Sequence, residues 1–278
     1  MHEWLPCSCP HPFVLCAWRL ALEEEPVTGQ DPIQALWIGE KLSHLEQLSL
    51  ASFVANGHEV HLYAYEDIAG VPPGVSVIDG RGVLPEDAIF SFGPDAAFGA
   101  GSFAAFANLF RYKLLYEKGG WWIDVDMVCL RHFDIEAPYV FGYEHGTSIN
   151  CAVLRLQQGS PVAESLYQAA LAKGTDLNWG DTGARLFSEK VAEFHLEGFA
   201  LPTSAFYPVH AWAADTLLQE DPDGSRIARL EGAYGVHFWN SILNWAGRDK
   251  NAEYPASSIY EQLKARFGVG QPAKERAG

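Results

Sequence analysis

Two aspartates, Asp124 and Asp126, follow an apolar run in the middle of the chain. The run at residues 121–125 predicts a buried strand, on which residues two apart point to the same side. Two carboxylates on one side of a core strand cannot both stay charged if they are buried away from water. They are therefore expected at the exposed end of the strand, beside a cation. The pair therefore predicts a polar site at a strand end, with a divalent metal as its simplest partner.

The segment before this strand adds a guanidinium and an amide. Apolar residues recur at helical spacing across residues 103–118, and the glycines at 119–120 suit a helix end. Because Arg111 follows Asn108 by three residues, both lie on one helix face and are aimed at the aspartates. An arginine there would donate charge-assisted hydrogen bonds to sugar or phosphate oxygens.

The chemistry that needs this set is transfer from a nucleotide diphosphate. Carboxylate oxygens bind Mg²⁺ or Mn²⁺, and such an ion neutralises the diphosphate as it departs. Two alternatives stay open at this point. A metal-dependent phosphodiesterase or nucleotidyltransferase also places carboxylates at a strand end, and a catalytically silent protein would bind a sugar nucleotide or glycan without turnover.

The remaining pattern predicts an α/β domain that begins with a strand–helix–strand unit. Residues 79–102 predict a long loop, because they are rich in Gly and Pro and have no clear period. Strands are predicted at residues 33–38, 58–65, 75–78, 121–125, 139–143, 149–156 and 234–239. Helices are predicted at residues 42–54, 103–118, 161–171, 183–194 and 257–267.

The composition excludes some partners. A formal charge of −16 argues against nucleic acid or an anionic membrane, because polyanion binding depends on Lys and Arg contacts with phosphates. No apolar stretch is long enough to span a bilayer, and residues 13–22 lack the preceding basic segment of a signal peptide. A cytoplasmic location is the default expectation, with peripheral attachment to the inner membrane left open.

Five cysteines are an odd number and unlike a disulfide framework. The N-terminal segment contains four residues that could be imagined as a zinc cluster: Cys7, Cys9, His11 and Cys16. Their spacing fits no paired Cys-x-x-Cys pattern, so a zinc site is disfavoured. Two further cysteines fall in apolar runs and are predicted to be core residues, Cys129 and Cys151.

The run at residues 110–133, FRYKLLYEKGGWWIDVDMVCLRHF, resembles the DXD region of the family-32-like sugar transferases. Residues 35–66, ALWIGEKLSHLEQLSLASFVANGHEVHLYAYE, resemble the family's opening strand–helix–strand. The resemblance implies a GT-A type fold, with a Rossmann-like mixed sheet flanked by helices, in a single domain at residues 31–270. A poorly ordered extension at residues 1–30 and a tail at residues 271–278 would flank it.

The resemblance also implies a role for each matching residue. Asp126 would coordinate the metal beside Asp124, which contacts the donor sugar or ribose, and Arg111 would contact the donor. Trp37 would stack on the nucleotide base. Asn108 stands where the family often has an aspartate, which removes a charge but keeps hydrogen bonding to hydroxyls. The implied reaction moves a sugar from a UDP- or GDP-sugar to a hydroxyl of a glycan or a capsular or cell-surface polysaccharide. It needs Mn²⁺ or Mg²⁺ and retains the anomeric configuration.

Later candidates have structural alternatives. His237 suits a third metal ligand, since imidazole binds Mn²⁺, or it is a hydrogen-bonded histidine on a half-buried strand. Asp181 is predicted to be the N-cap of the helix that begins near residue 183. The functional alternative places it near the acceptor or the donor sugar. Asn240, with Trp239, is a candidate for closing over the diphosphate. The acceptor candidates, which a turn explains equally well, are Tyr143, Glu144, Ser148 and Asn150. The adjacent Trp121 and Trp122 are predicted to be core residues. The alternative for Trp122 is a position near the sugar.

Overall fold

The computed structural model describes residues 31–270. The cysteine and histidine cluster at residues 7–16, the predicted extension and the predicted tail lie outside the described residues. The strands within that range are β1 (Ile33–Leu36), β2 (Val60–Ala64), β3 (Val75–Asp79), β4 (Gly120–Ile123), β5 (Met127–Cys129), β6 (Val140–His145), β7 (Ser148–Leu156), β8 (Ala200–Leu201) and β9 (Gly235–His237).

The α-helices of the described range mostly lie where apolar spacing predicted them. They are α1 (His44–Ala55), α2 (Ala104–Lys118), α3 (Pro161–Ala172), α4 (Ala184–Glu193), α5 (Thr203–Phe206), α6 (Asn240–Trp245) and α7 (Ile259–Phe267). Ser43 and Glu46 form a reciprocal capping box that starts α1, and Ser258 caps α7. The sequence did not predict the two shortest helices, α5 and α6.

Seven strands form one mixed sheet in the order β3-β2-β1-β4-β7-β6-β8. β1 is parallel to both β2 and β4, whereas β7 is antiparallel to β4 and β6. The predicted α/β architecture, a mixed sheet flanked by helices, is confirmed. The chain leaves β1 toward β2 on one side and returns as β4 on the other. Their carboxyl ends therefore flank a switch point, where open α/β sheets bind ligands.

The two faces of the sheet carry separate cores. Consecutive residues on β4 point to opposite faces. Trp121 accordingly packs in the core that includes α1, while Trp122 packs in the core that includes α2. The predicted core positions of Cys129 and Cys151 are confirmed, and burial raises the pKa of the Cys129 thiol to about 12. Such a thiol stays protonated and unreactive at neutral pH.

The predicted end of β4 was wrong. β4 ends at Ile123 instead of residue 125, so neither aspartate lies on the strand. The loop at residues 79–102 contains two 3₁₀ turns, Gly80–Gly82 and Glu86–Ala88. No helix between residues 31 and 270 has the length and apolar character needed to cross a bilayer.

His58 makes the stability of the fold depend on pH. Its buried ring stacks on His132 at 4.1 Å, and its Nε2 accepts a hydrogen bond from the Phe133 backbone N–H. Burial, reinforced by His132, lowers the pKa of His58 to about 4. The unfolded chain, with an ordinary histidine pKa, therefore binds a proton more readily as the pH falls from about 6.5 to about 4.

We expect the free energy of unfolding to fall by on the order of 2 kcal/mol between pH 7.5 and pH 5 because of this residue alone. Urea titrations at both pH values on the wild type and on His58→Asn measure that difference. The asparagine offers an acceptor to Phe133 but does not titrate. His61→Gln on the neighbouring strand is the control, and it should keep the wild-type pH dependence. Equal slopes in all three proteins would contradict the assignment.

Candidate functional site

A buried arginine, Arg111, and a partly exposed aspartate, Asp124, form an ion pair between α2 and the end of β4. An Arg111 guanidinium nitrogen, Nη2, lies 2.5 Å from Asp124 Oδ1, and the arginine side chain is only 2% exposed. The Trp122 indole N–H donates to the same oxygen at 2.8 Å, and its ring lies 5.0 Å from the guanidinium carbon. Burial by itself lowers the pKa of Arg111, but the Asp124 carboxylate raises it above the ordinary value. The Arg111 guanidinium therefore stays charged at neutral pH.

A tight turn separates the two aspartates. The Met127 N–H donates to the Asp124 carbonyl at 2.9 Å, which closes a four-residue turn directly after β4. The expectation that both carboxylates share one side of a strand was wrong, because the alternation of a strand ends at Ile123. Asp124 bonds to α2 and β4, whereas Asp126 bonds to the C-terminal part of the chain.

Asp126 is buried between β9 and the start of α6. Its Oδ1 lies 3.1 Å from His237 Nε2, and its Oδ2 accepts a 2.8 Å hydrogen bond from the Asn240 backbone N–H. The pairing of Met127 with His237 in the β5–β9 ribbon sets this position. Burial favours the neutral acid, but His237 and the Asn240 N–H hold the pKa of Asp126 below its ordinary value. Burial likewise lowers the pKa of His237, and Asp126 raises it above the ordinary value.

One cleft of about 910 Å³ opens over these residues. It brings together six of the predicted site residues: Trp37, Asn108, Arg111, Asp124, Asp126 and Asn240. His237 lies behind Asp126 and outside the lining. The residues that meet here come from β1, α2, the turn after β4 and α6, which are far apart in the sequence.

Asn108 and Trp37 occupy different parts of the cleft wall. The Asn108 amide donates to Thr182 Oγ1 at 3.2 Å, and Tyr112 donates to the Thr182 carbonyl at 2.9 Å. These bonds fasten α2 to the loop before α4. Trp37 follows β1, and its buried indole N–H has no partner among residues 31–270. Lys250 Nζ lies 5.8 Å from its ring centroid.

Asn150 and Asp181 lie outside the cleft lining. Asn150 donates to Glu144 Oε2 at 2.5 Å and accepts from the Ala152 N–H at 2.7 Å, which fastens the β6–β7 hairpin. The predicted N-cap role of Asp181 was wrong, because Gly183 occupies that position without a side-chain cap. Asp181 instead accepts from the Asn178 N–H at 2.8 Å and pairs with Arg185. A substrate role for either residue stays a prediction.

The sequence reasoning missed an ion pair in the wall of the cleft. Lys250 Nζ lies 2.5 Å from Oε1 of Glu46, whose side chain is 1% exposed. The only local indication was the Ser-x-x-Glu capping pattern at residues 43–46, which assigns Glu46 to its own helix. Lys250 is 204 residues away and carries no such pattern.

The donor set around Asp126 fits a divalent ion that takes its other ligands from a substrate. Asn240 Oδ1 and His237 Nδ1 are buried and lack a partner among residues 31–270. A carboxylate and an amide oxygen are ligands that Mg²⁺ and Mn²⁺ accept. The described residues contain no group of three or more His, Cys, Asp or Glu side chains arranged to hold an ion by themselves. An ion bound by one or two protein groups and substrate phosphates needs no such cage.

The Arg111–Asp124 pair should be required for the stability of the fold. Asp124→Ala would leave a buried guanidinium without its carboxylate, so we expect it to lower the free energy of unfolding by about 2 kcal/mol. Asp134→Ala, which removes an exposed partner 3.6 Å from Arg131, should change it by less than about 0.5 kcal/mol. Urea unfolding at pH 7.5 measures both. Equal effects would show that the buried pair is dispensable.

Residues 99–141 match the family described as "Glycosyltransferase sugar-binding region containing DXD motif". The match includes Asn108, Arg111, Asp124 and Asp126 from the cleft. Lactosylceramide 4-alpha-galactosyltransferase of Rattus norvegicus is 25% identical over 169 residues, which cover 56% of this chain and 45% of that protein. The chain thus spans less than half the length of this relative.

Two solved glycosyltransferases show weaker likeness. "PaToxG Glycosyltransferase" is 12% identical with a TM-score of 0.45, covering 86% of this chain and 85% of that one. The apo form of the glycosyltransferase GlyE from Streptococcus pneumoniae TIGR4 is 12% identical with a TM-score of 0.41, covering 89% and 66%. The match over residues 99–141 falls on the segment whose sequence resembles the DXD region of the family-32-like sugar transferases.

Proposed function

We propose that the protein transfers a sugar from a nucleotide-diphosphate sugar to an acceptor hydroxyl. The observation that carries this proposal is the cleft at the ends of β1 and β4. That cleft is lined by the Arg111 guanidinium of α2, by the carboxylates of Asp124 and Asp126, and by the Asn240 amide at the start of α6. A cationic donor group and oxygen ligands in one cleft suit a substrate that is both a polyol and a diphosphate.

Three residues position the donor. Trp37 stacks on the nucleotide base, next to the Glu46–Lys250 pair. Arg111 lines the cleft with a guanidinium that Asp124 holds in place, and this group donates to donor oxygens. Asn108 keeps its amide group toward sugar hydroxyls while Thr182 holds it in place.

Asp126 and Asn240, with His237 behind them, would hold Mn²⁺ or Mg²⁺ on the diphosphate. When bound, the ion would neutralise the negative charge that develops on the leaving group. His237 and the Asn240 N–H keep Asp126 ionised and fixed in direction. Asp124 keeps Arg111 charged and oriented, so that the guanidinium adds to the stabilisation of the same leaving group.

The transfer exchanges one C–O bond for another at the anomeric carbon and moves one proton. The acceptor oxygen bonds to the anomeric carbon as that carbon's bond to the diphosphate oxygen breaks, and the electron pair leaves with the nucleoside diphosphate. The acceptor proton passes to the departing phosphate oxygen, so no protein base is required. Attack from the face that the diphosphate leaves retains the anomeric configuration. A polysaccharide acceptor and a cytoplasmic location belong to the same proposal.

A donor screen tests the reaction class. We expect one UDP- or GDP-sugar with Mn²⁺ to yield the nucleoside diphosphate, and Asp126→Asn or excess EDTA to lower this rate at least about 100-fold. Chromatography of the nucleotide products makes the measurement. Asp134→Asn, on the exposed loop, is the control and should retain the wild-type rate.

Other products would overturn the proposal. Nucleoside monophosphate or pyrophosphate would indicate a phosphodiesterase or a nucleotidyltransferase. Tight donor binding without turnover would indicate a silent binding protein. Full activity in EDTA would contradict the metal role.

A further inference from the structure

Four aromatic side chains form a connected surface at the mouth of the cleft. The ring centroids of Phe98 and Trp245 are 5.3 Å apart, those of Trp245 and Trp179 are 5.3 Å apart, and those of Trp179 and Phe92 are 5.4 Å apart. We call these four residues the aromatic platform. Phe98 is 58% exposed and Trp245 is 45% exposed, whereas Phe92 is buried beneath them. Exposed aromatic rings that adjoin a polar cleft mark a binding surface.

The platform is assembled from three separate segments. Phe92 and Phe98 belong to a loop whose base is closed by hydrogen bonds from Phe92 N–H to Ser102 and from Gly101 N–H to Phe92. Trp179 lies in the loop before α4, and Trp245 ends α6. The loop backbone at Gly99 lies flat on the Trp179 ring, since a Cβ there would approach the ring to 2.4 Å. Packing this close fixes the positions of the rings before a ligand arrives.

α6 connects the platform to the reacting centre. Its first residue, Asn240, donates its N–H to Asp126, and Trp245 is five residues further along. At the helical rise, that places Trp245 about 8 Å from the Asp126 contact along the helix axis. Three platform residues, Phe98, Trp179 and Trp245, line the same cleft as Asp124 and Arg111. The distance from Asp126 to Trp245 is therefore about the length of one sugar unit.

The charge around the platform selects its ligand. The lining segment at residues 96–104, AAFGAGSFA, has no charged side chain, and the whole chain carries −16. A neutral sugar meets no repulsion there, whereas the net charge of the chain disfavours an anionic sugar. The apolar C–H face of a neutral pyranose would bury against the rings while its hydroxyls stay in water.

We propose that the aromatic platform is the acceptor subsite, where the rings of Phe98, Trp179 and Trp245 stack on a neutral pyranose and hold its hydroxyl toward the donor. The proposal rests on the proposed function for the reaction. It does not rest on it for binding, because the platform would bind a glycoside without any turnover.

Saturation-transfer NMR with the methyl glycosides of glucose, galactose, mannose, N-acetylglucosamine and glucuronic acid tests binding alone. We expect at least one neutral glycoside to bind the wild type and the glucuronide not to bind. Trp245→Leu should weaken the neutral glycoside about tenfold, and Trp245→Phe, which keeps a ring, by less than about threefold. The binding of UDP and GDP with Mn²⁺ should be the same in all three proteins.

Substitutions at two glycines distinguish the effect of moving the Trp179 ring from the effect of backbone strain. Gly99 and Gly101 have φ angles of +72° and +74°, yet a Cβ at Gly101 meets nothing within 4 Å. Gly99→Ala should therefore weaken glycoside binding through Trp179, while Gly101→Ala, which carries the same strain, should keep it. With a donor that turns over, Gly99→Ala should raise KM for the acceptor, and Gly101→Ala should leave that KM unchanged.

The outcomes separate the two proposals. Glycoside binding that depends on Trp245, in a protein that turns over no donor, would uphold the subsite and overturn the reaction. The subsite is overturned if no neutral glycoside binds, if Trp245→Leu binds as well as the wild type, or if nucleotide binding falls in parallel.

Discussion

A buried guanidinium that must keep its carboxylate is the constraint on which the site depends. Arg111 is 2% exposed, and Asp124 is the acid that pairs with it. An unpaired buried charge is strongly unfavourable, so Asp124 is held against α2 and the Trp122 indole. The consequence is a rigid link between the helix that carries Asn108 and the end of β4. The wall of the cleft is thereby fixed relative to the sheet.

The same constraint divides the work of the two aspartates. Because Asp124 is committed to Arg111, the turn that follows β4 directs Asp126 the other way, toward His237 and the first N–H of α6. Asp126 acts as a cap for a helix more than a hundred residues later in the chain. Its charge is stabilised by that N–H and by His237, which suits it to be the oxygen ligand of a cation. One short motif thus connects α2, through Asp124, to the aromatic platform, through Asp126 and α6.

Much of the fold was predictable because its signals are local. The apolar spacing of α2, the glycines after it and the run of β4 gave the elements that carry Arg111 and Asp124, and the Ser-x-x-Glu pattern marks the start of α1. The sequence could not reveal α6, since its cap comes from Asp126 and Trp239 precedes it in a left-handed conformation with φ +54°. The Glu46–Lys250 pair and the contact of Gly99 with Trp179 also join distant segments. Pattern reasoning along the chain has no access to such contacts.

The division of labour between Asp124 and Asp126 is the central claim, and Mn²⁺ electron paramagnetic resonance in the presence of UDP or GDP tests it most directly. Free Mn²⁺ gives a sharp signal that is lost on binding, so a titration yields the affinity of the ternary site. The account predicts that Asp126→Asn lowers Mn²⁺ affinity by about 10–100-fold, while Asp124→Asn, still able to bond to Arg111, changes it by less than about threefold. Equal losses in both variants, or a loss confined to Asp124→Asn, would contradict it.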